Sequence, residues 1–150
     1  FDKQLLTRNF KISRGRTEIL LSEISVENLL DRNKYLVVSV NIERLKLLDL
    51  FEKTGFTEAY FVDEKGKLKG KTKVNSILTS NTENLIQDNN PLYIEKSSNI
   101  SDAIIKISNF VGESVPVVDG DRTLKGVVTE SDLFIEYLKV QDKISEIEKD

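Results

Sequence analysis

Val115-Pro116-Val117-Val118-Asp119-Gly120-Asp121-Arg122-Thr123-Leu124-Lys125-Gly126 decides the fold, because an earlier stretch repeats its pattern. Val62-Asp63 and Leu68-Lys69-Gly70 match Val118-Asp119 and Leu124-Lys125-Gly126 at one constant spacing, Gly70 to Gly126. An internal repeat outranks local propensity as a guide to architecture. Each copy reads as a helix, a short strand, a turn built on Asp and Gly, a second strand and a further helix. A half-sized unit buries its open face on its sister, so the expected class is α+β.

In the first copy, Tyr35-Leu36-Val37-Val38 suits a buried strand. Asn41 offers an N-cap for a helix carrying Ile42, Leu45, Leu48 and Phe51, with Gly55 as its stop. Strands follow at Ala59 to Val62 and Leu68 to Thr72, then a short helix from Val74 to Leu78 and a polar link from Thr79 to Asn90. In the second copy Leu92 to Glu95 is the opening strand. Asn99, with Asp102 three residues on, caps a helix whose stripe is Ile100, Ala103, Ile104, Ile107 and Phe110. Ser114 to Val118 and Thr123 to Val128 form the hairpin. A closing helix begins near Glu130, with Leu133, Phe134, Tyr137 and Leu138 on one side and a solvated or partner-facing far end.

Composition closes several functional classes. With 39% apolar and 31% charged residues the chain is that of a folded soluble protein. A net charge of −3 supplies no field for a polyanion, so nucleic acid is not an expected partner. Having neither cysteine nor histidine, the chain lacks the commonest nucleophile, general base and soft metal ligands, so neither an enzyme nor a metal site is expected. No apolar run approaches the roughly 18 residues of a membrane span. The chain starts at Phe1 and contains no methionine, and is expected to be a piece of a longer protein.

Chemistry concentrates at Gly126-Val127-Val128-Thr129-Glu130-Ser131-Asp132, which runs from a strand across a turn into a helix. Such a junction gathers free backbone N–H groups at the positive end of the helix dipole and suits an anion. A first-turn carboxylate also accepts from the two hydroxyls of a ribose. Thr129 and Asp132 have that spacing, which is equally that of a capping box. Lys65, Lys67, Lys69, Lys71 and Lys73 alternate, as on a solvated sheet edge, an anion-facing or membrane-facing patch being the alternative. Asp119-Gly120-Asp121 reads as a hairpin turn rather than a calcium loop.

The segment from Val115 to Asp119 and from Leu124 to Leu133 resembles the second half of a CBS domain, and Ala59 to Gly70 fits the same pattern less closely. The head of the chain, Leu5 to Arg16 with Leu20-Leu21 and Ile24 to Leu30, is similar to the linker between the last membrane helix and the CBS pair of bacterial ClC-type chloride channels and transporters. The resemblance implies a linker over 1–34, β-α-β-β-α CBS modules over 35–80 and 91–139 packed as a pseudo-twofold pair, and a helical extension over 140–150. It implies a cytoplasmic regulatory domain at the membrane, a homodimer through the CBS pairs, and contact with a membrane domain of the same chain. It implies no required cofactor, with ATP, ADP or AMP as a regulatory ligand. Carried across, Asp132 holds the ribose with Thr129 and Val128 beside it. The base then leans on Val37 and on Phe56 and Thr57 of the first copy, Phe56 being either a stacking partner or core. Lys73 and Ser76 replace Thr129 and Asp132 in that copy, so at most one nucleotide site is expected. The alternatives are a ligand-free dimerisation pair, or a regulatory pair of a soluble enzyme or another transporter.

Overall fold

The computed structural model describes residues 15–148 other than 82 and 111, and the side chain of Glu148 is not described. The chain head from Leu5 to Arg14, with most of the basic run around Gly15, lies outside the described residues.

Helix α1 (Arg16–Ser22) leads into a 3-10 segment (Val26–Arg32). The first module is β1 (Leu36–Ser39), α2 (Arg44–Thr54), β2 (Glu58–Val62), β3 (Leu68–Lys73) and α3 (Val74–Thr79). The second is β4 (Ile94–Glu95), α4 (Ile100–Ile107), β5 (Val115–Val118), β6 (Leu124–Val128) and α5 (Glu130–Glu148). Each module holds a three-stranded mixed sheet, β1-β2-β3 and β4-β5-β6, its first pair parallel and its second antiparallel. The α+β pair of β-α-β-β-α units is thus the fold.

The repeat spacing operates as a symmetry. Val38 pairs with Phe61 as Ile94 pairs with Val117, and the ladder slips after Phe61 and again after Val117. Asp63 Oδ1 accepts from the N–H of Lys65 and Lys67 at 2.9 and 3.0 Å, and Asp119 Oδ1 accepts from Asp121 and Thr123 at the same distances. The hairpins then join across the pseudo-dyad, Leu68 N–H donating to Arg122 O at 2.9 Å and Leu124 N–H to Gly66 O at 3.0 Å. Behind them Tyr60, Leu68, Val118 and Val127 form a small core shared by the two sheets.

The repeat reaches further back than the strands. Glu27-Asn28-Leu29-Leu30-Asp31-Arg32-Asn33 corresponds to Glu83-Asn84-Leu85-Ile86-Gln87-Asp88-Asn89 at the same spacing. Each of these lead segments precedes the first strand of one module and packs on the other. Leu29 and Leu30 enter the core of the second module, Leu85 and Ile86 that of the first. The repeated glycines follow from this exchange, since a Cβ at Gly126 would press on Leu30 and one at Gly70 would overlap Ile86. The segment expected as a linker is thus core in part, with Leu21, Val26 and Leu29 buried and α1 lying against α4 and α5.

Four local expectations are corrected. α2 starts after Glu43 rather than Asn41, because Asn41 N–H is taken by Ser39 Oγ in a turn. Gly55, at φ 75°, does end it. β4 contains only Ile94 and Glu95, the two residues that pair with β5. Along α5 the buried stripe is Leu133, Tyr137, Val140 and Ile144, a 3.6-residue period that leaves Leu138 exposed and draws part of the far end into the core. The lysine row is no free edge, because Lys71 N–H and C=O pair with Asp88 at 2.9 and 3.0 Å and its side chain is buried. The cap at Asn99 forms as expected, accepting from Asp102 N–H at 2.8 Å.

Candidate functional site

The junction singled out in the sequence sits where β6 meets α5. Thr129 N–H donates to Asp132 Oδ2 at 2.8 Å and Asp132 N–H donates to Thr129 Oγ1 at 3.2 Å. Both halves of the capping box are therefore made, and the carboxylate sits at the favourable end of the helix dipole. A third group joins them: Asn33 Nδ2 donates to the same Oδ2 at 2.7 Å. One turn along α5, Glu136 pairs with Arg32 and with Lys139, the latter at 3.5 Å. Consecutive residues of the lead segment thus hold two carboxylates spaced i, i+4 on one helix face. Asp132 and Glu136 are each only 7% exposed.

Val128 and Thr129 line a hollow of about 220 Å³ with Phe110, Glu113, Ser114 and Glu130. Thr57 reaches its rim from the first module by donating to Glu113 Oε2. Behind that contact lies a charged bridge between the modules. Glu58 and Lys71 pair at 3.1 Å, their side chains 6% and 8% exposed. Lys71 Nζ also donates to Ser114 O at 2.9 Å and lies over the rings of Tyr60 and Phe110 at 5.4 and 5.1 Å. Ser114 Oγ donates to Glu58 Oε1 at 3.0 Å, while the Tyr60 hydroxyl meets Ser114 and burial drives its pKa far above the usual range.

The six residues singled out in the sequence are therefore only partly gathered. Val128, Thr129 and Asp132 are contiguous, and Thr57 approaches them through Glu113. Phe56 packs on the core of the first module. Val37, 45% exposed, lines a separate hollow of about 620 Å³ beside Asn41, Asp63 and the hairpin lysines Lys65, Lys67 and Lys69. Sequence reasoning missed Asn33, Arg32 and Glu136, and it missed the Glu58–Lys71–Ser114 bridge. The doubled lead segment was the available signal for Asn33, since it places the same asparagine before both first strands.

At the equivalent place in the first module, Arg44, Thr72, Ser76, Ile77 and the lead residues Asn84 to Gln87 line a hollow of about 420 Å³. Arg44 donates to Ile77 O, and Thr72 Oγ1 is buried with no hydrogen-bond partner among the described residues. α3 follows Lys73, which gives it no side-chain cap.

Comparison with known proteins follows the same division. Residues 84–139 match the CBS domain family. The fold is that of a tandem CBS module. It is similar to CBSX2 in complex with AMP, with a TM-score of 0.64 and 20% identity over 79% of this chain and 98% of that one. The CBS domain pair of protein MJ0100, in complex with 5′-methylthioadenosine and S-adenosyl-L-methionine, has a TM-score of 0.61 and 26% identity over 73% of this chain and 96% of that one. The CBS pair domain of the putative Mg²⁺ transporter SO5017 from Shewanella oneidensis MR-1 has a TM-score of 0.66 and 17% identity, covering 93% of this chain and 88% of that one. No curated protein sequence matches the chain. Only the second module is matched by sequence, and it alone carries Thr129 and Asp132.

Proposed function

We propose that this CBS pair is a regulatory domain that binds one adenine nucleotide at the second module. In this reading the ribose hydroxyls donate to Asp132, with Thr129 and the positive end of the α5 dipole beside them. The observation that carries it is the Thr129–Asp132 junction, an acid in the first turn of a helix that follows a strand directly. The likenesses to CBS pairs holding AMP and S-adenosylmethionine support the choice of ligand. The domain acts by linkage: a ligand that prefers one arrangement of the two modules shifts whatever is attached toward the state that has it. No catalytic step is part of the proposal.

The attached partner in this reading is a ClC-type chloride channel or transporter, with the pair on the cytoplasmic side as a homodimer. That part rests on the resemblance of Leu5 to Leu30.

Calorimetry with AMP, ADP and ATP tests the nucleotide reading. At least one should bind with a stoichiometry of one per chain, and Asp132→Asn, which keeps the size of the side chain, should weaken it by about tenfold or more. Absence of binding by all three, or full affinity in Asp132→Asn, rejects it. Sedimentation tests the dimer, which should persist without nucleotide. A dimer indifferent to all three nucleotides is the ligand-free dimerisation module, the reading favoured by the near-complete burial of Asp132.

A further inference from the structure

The group that occupies Asp132 is not part of its own module. Asn33 belongs to the lead segment before β1, and it donates to the same oxygen that closes the capping box. A ribose diol needs acceptor positions on this carboxylate, and Asp132, 7% exposed, presents little of itself to solvent while Asn33 is bound. Asn33 and a ribose are therefore competitors for one acid. Arg32, its neighbour, holds Glu136 one turn away, so releasing Asn33 loosens a two-point attachment.

The attachment leads somewhere definite. Upstream of Asn33 the 3-10 segment buries Val26 and Leu29 in the second module, and Ile24 O accepts from Ile100 N–H at 2.9 Å. α1 then lies along α4 and α5, with Gln141 Nε2 donating to Thr17 Oγ1 at 2.9 Å. The chain that enters the domain thus reaches the acid through one continuous packed segment. The first module offers no such device, because Ser76 stands at the place of Asp132 and gives Asn89 no carboxylate to hold.

We infer that Asn33 is a displaceable latch: the ligand's sugar replaces the Asn33 amide on Asp132, and the freed lead segment passes occupancy of the site to the chain entering at α1. This rests on the nucleotide reading above and specifies how that site is regulated. Ligand affinity in the intact chain is then lowered by the latch, as it is for any site whose competent state is only a fraction of the population.

The test is calorimetry with AMP and ATP on the 150-residue chain and on Asn33→Ala, together with amide hydrogen exchange of residues 26–33 with and without AMP. Removing one charge-assisted competitor should tighten binding by about tenfold. Saturating AMP should speed exchange across residues 26–33 in the unaltered chain, a readout that does not depend on the variant folding well. Equal or weaker binding in Asn33→Ala, or exchange that slows or stays unchanged on AMP, overturns the latch while nucleotide binding stands. Binding by neither protein overturns the latch and the nucleotide reading together.

Discussion

The first module keeps an open hollow with no acid in it, and the second keeps the acid and closes over it. Ser76, half-buried, lines about 420 Å³ in one, while Asp132, 7% exposed and bound by Asn33, holds the corresponding place in the other. The cause lies outside the repeat proper. The second module receives α1 and the long α5, whose Val140 and Ile144 extend its core, whereas the first has only the short α3. One fold duplicated in sequence has thus become a half with the acid and a half with the larger hollow. Ligand recognition in such a pair depends on chemistry and access being present in the same half.

The modules also differ in what holds them together, and the largest expected effect comes from there. Glu58 and Lys71 have no charged counterparts, since Ser114 and Val127 occupy their equivalent positions. Lys71→Val leaves the Glu58 carboxylate buried without its cation and should cost about 3–5 kcal/mol. Replacing both, Glu58→Ser with Lys71→Val, gives the first module the residues of the second and should recover most of that loss, because a buried pair as a whole is often no more stabilising than apolar packing. Urea denaturation reads both. A single variant within about 1 kcal/mol of the parent would show that the pair is hydrated in solution, and the asymmetry would then be one of sequence only.

The exchanged lead segments allow a sharper comparison. Leu29 is 1% exposed in the second module, whereas its counterpart Leu85 is only partly buried against the first. Leu29→Ala should cost about 3 kcal/mol and Leu85→Ala about half as much, in line with the loss of transfer energy and the cavity left behind. Equal losses in denaturation would mean that the two halves are covered alike, against the difference in their hollows.

Much of this arrangement is legible in the amino-acid sequence. The repeat, the helix cap at Asn99, the stop at Gly55 and the hairpins on Asp63 and Asp119 all rest on local chemistry, and each formed as expected. What escaped was decided across the modules. Lys71 looked like one of a row of exposed lysines, because alternation says which face a side chain takes and not what that face meets. Asn33 looked like linker, although the same seven-residue pattern recurs before β4. Thr129 and Asp132 were legible as a pair, but their spacing suits a cap and a sugar site equally, and the cap is formed here.

The smallest effect tests where the two halves should be alike. Asp63 and Asp119 are both held below their ordinary pKa of 3.8, chiefly by the backbone N–H of Lys67 and of Thr123, with the next N–H along the turn and Lys69 or Lys125 adding to it. A depressed carboxyl contributes stability that is complete above its unfolded pKa and is lost as pH falls through the folded value. The contribution of each hairpin should therefore persist above about pH 4 and fade below it. Asp63→Asn and Asp119→Asn keep an oxygen to accept the turn N–H groups but remove the titration, so each should flatten the acid side of a melting-temperature profile by the same small amount. The turns differ in sequence after the shared aspartate, and at one equivalent position Gly66 and Arg122 both take positive φ, 80° and 66°. Arginine is disfavoured there, and its guanidinium rests on the Tyr93 ring at 4.6 Å. Unequal flattening would locate a difference in that turn and break the symmetry of the hairpins, whose two aspartates make the same pair of turn hydrogen bonds.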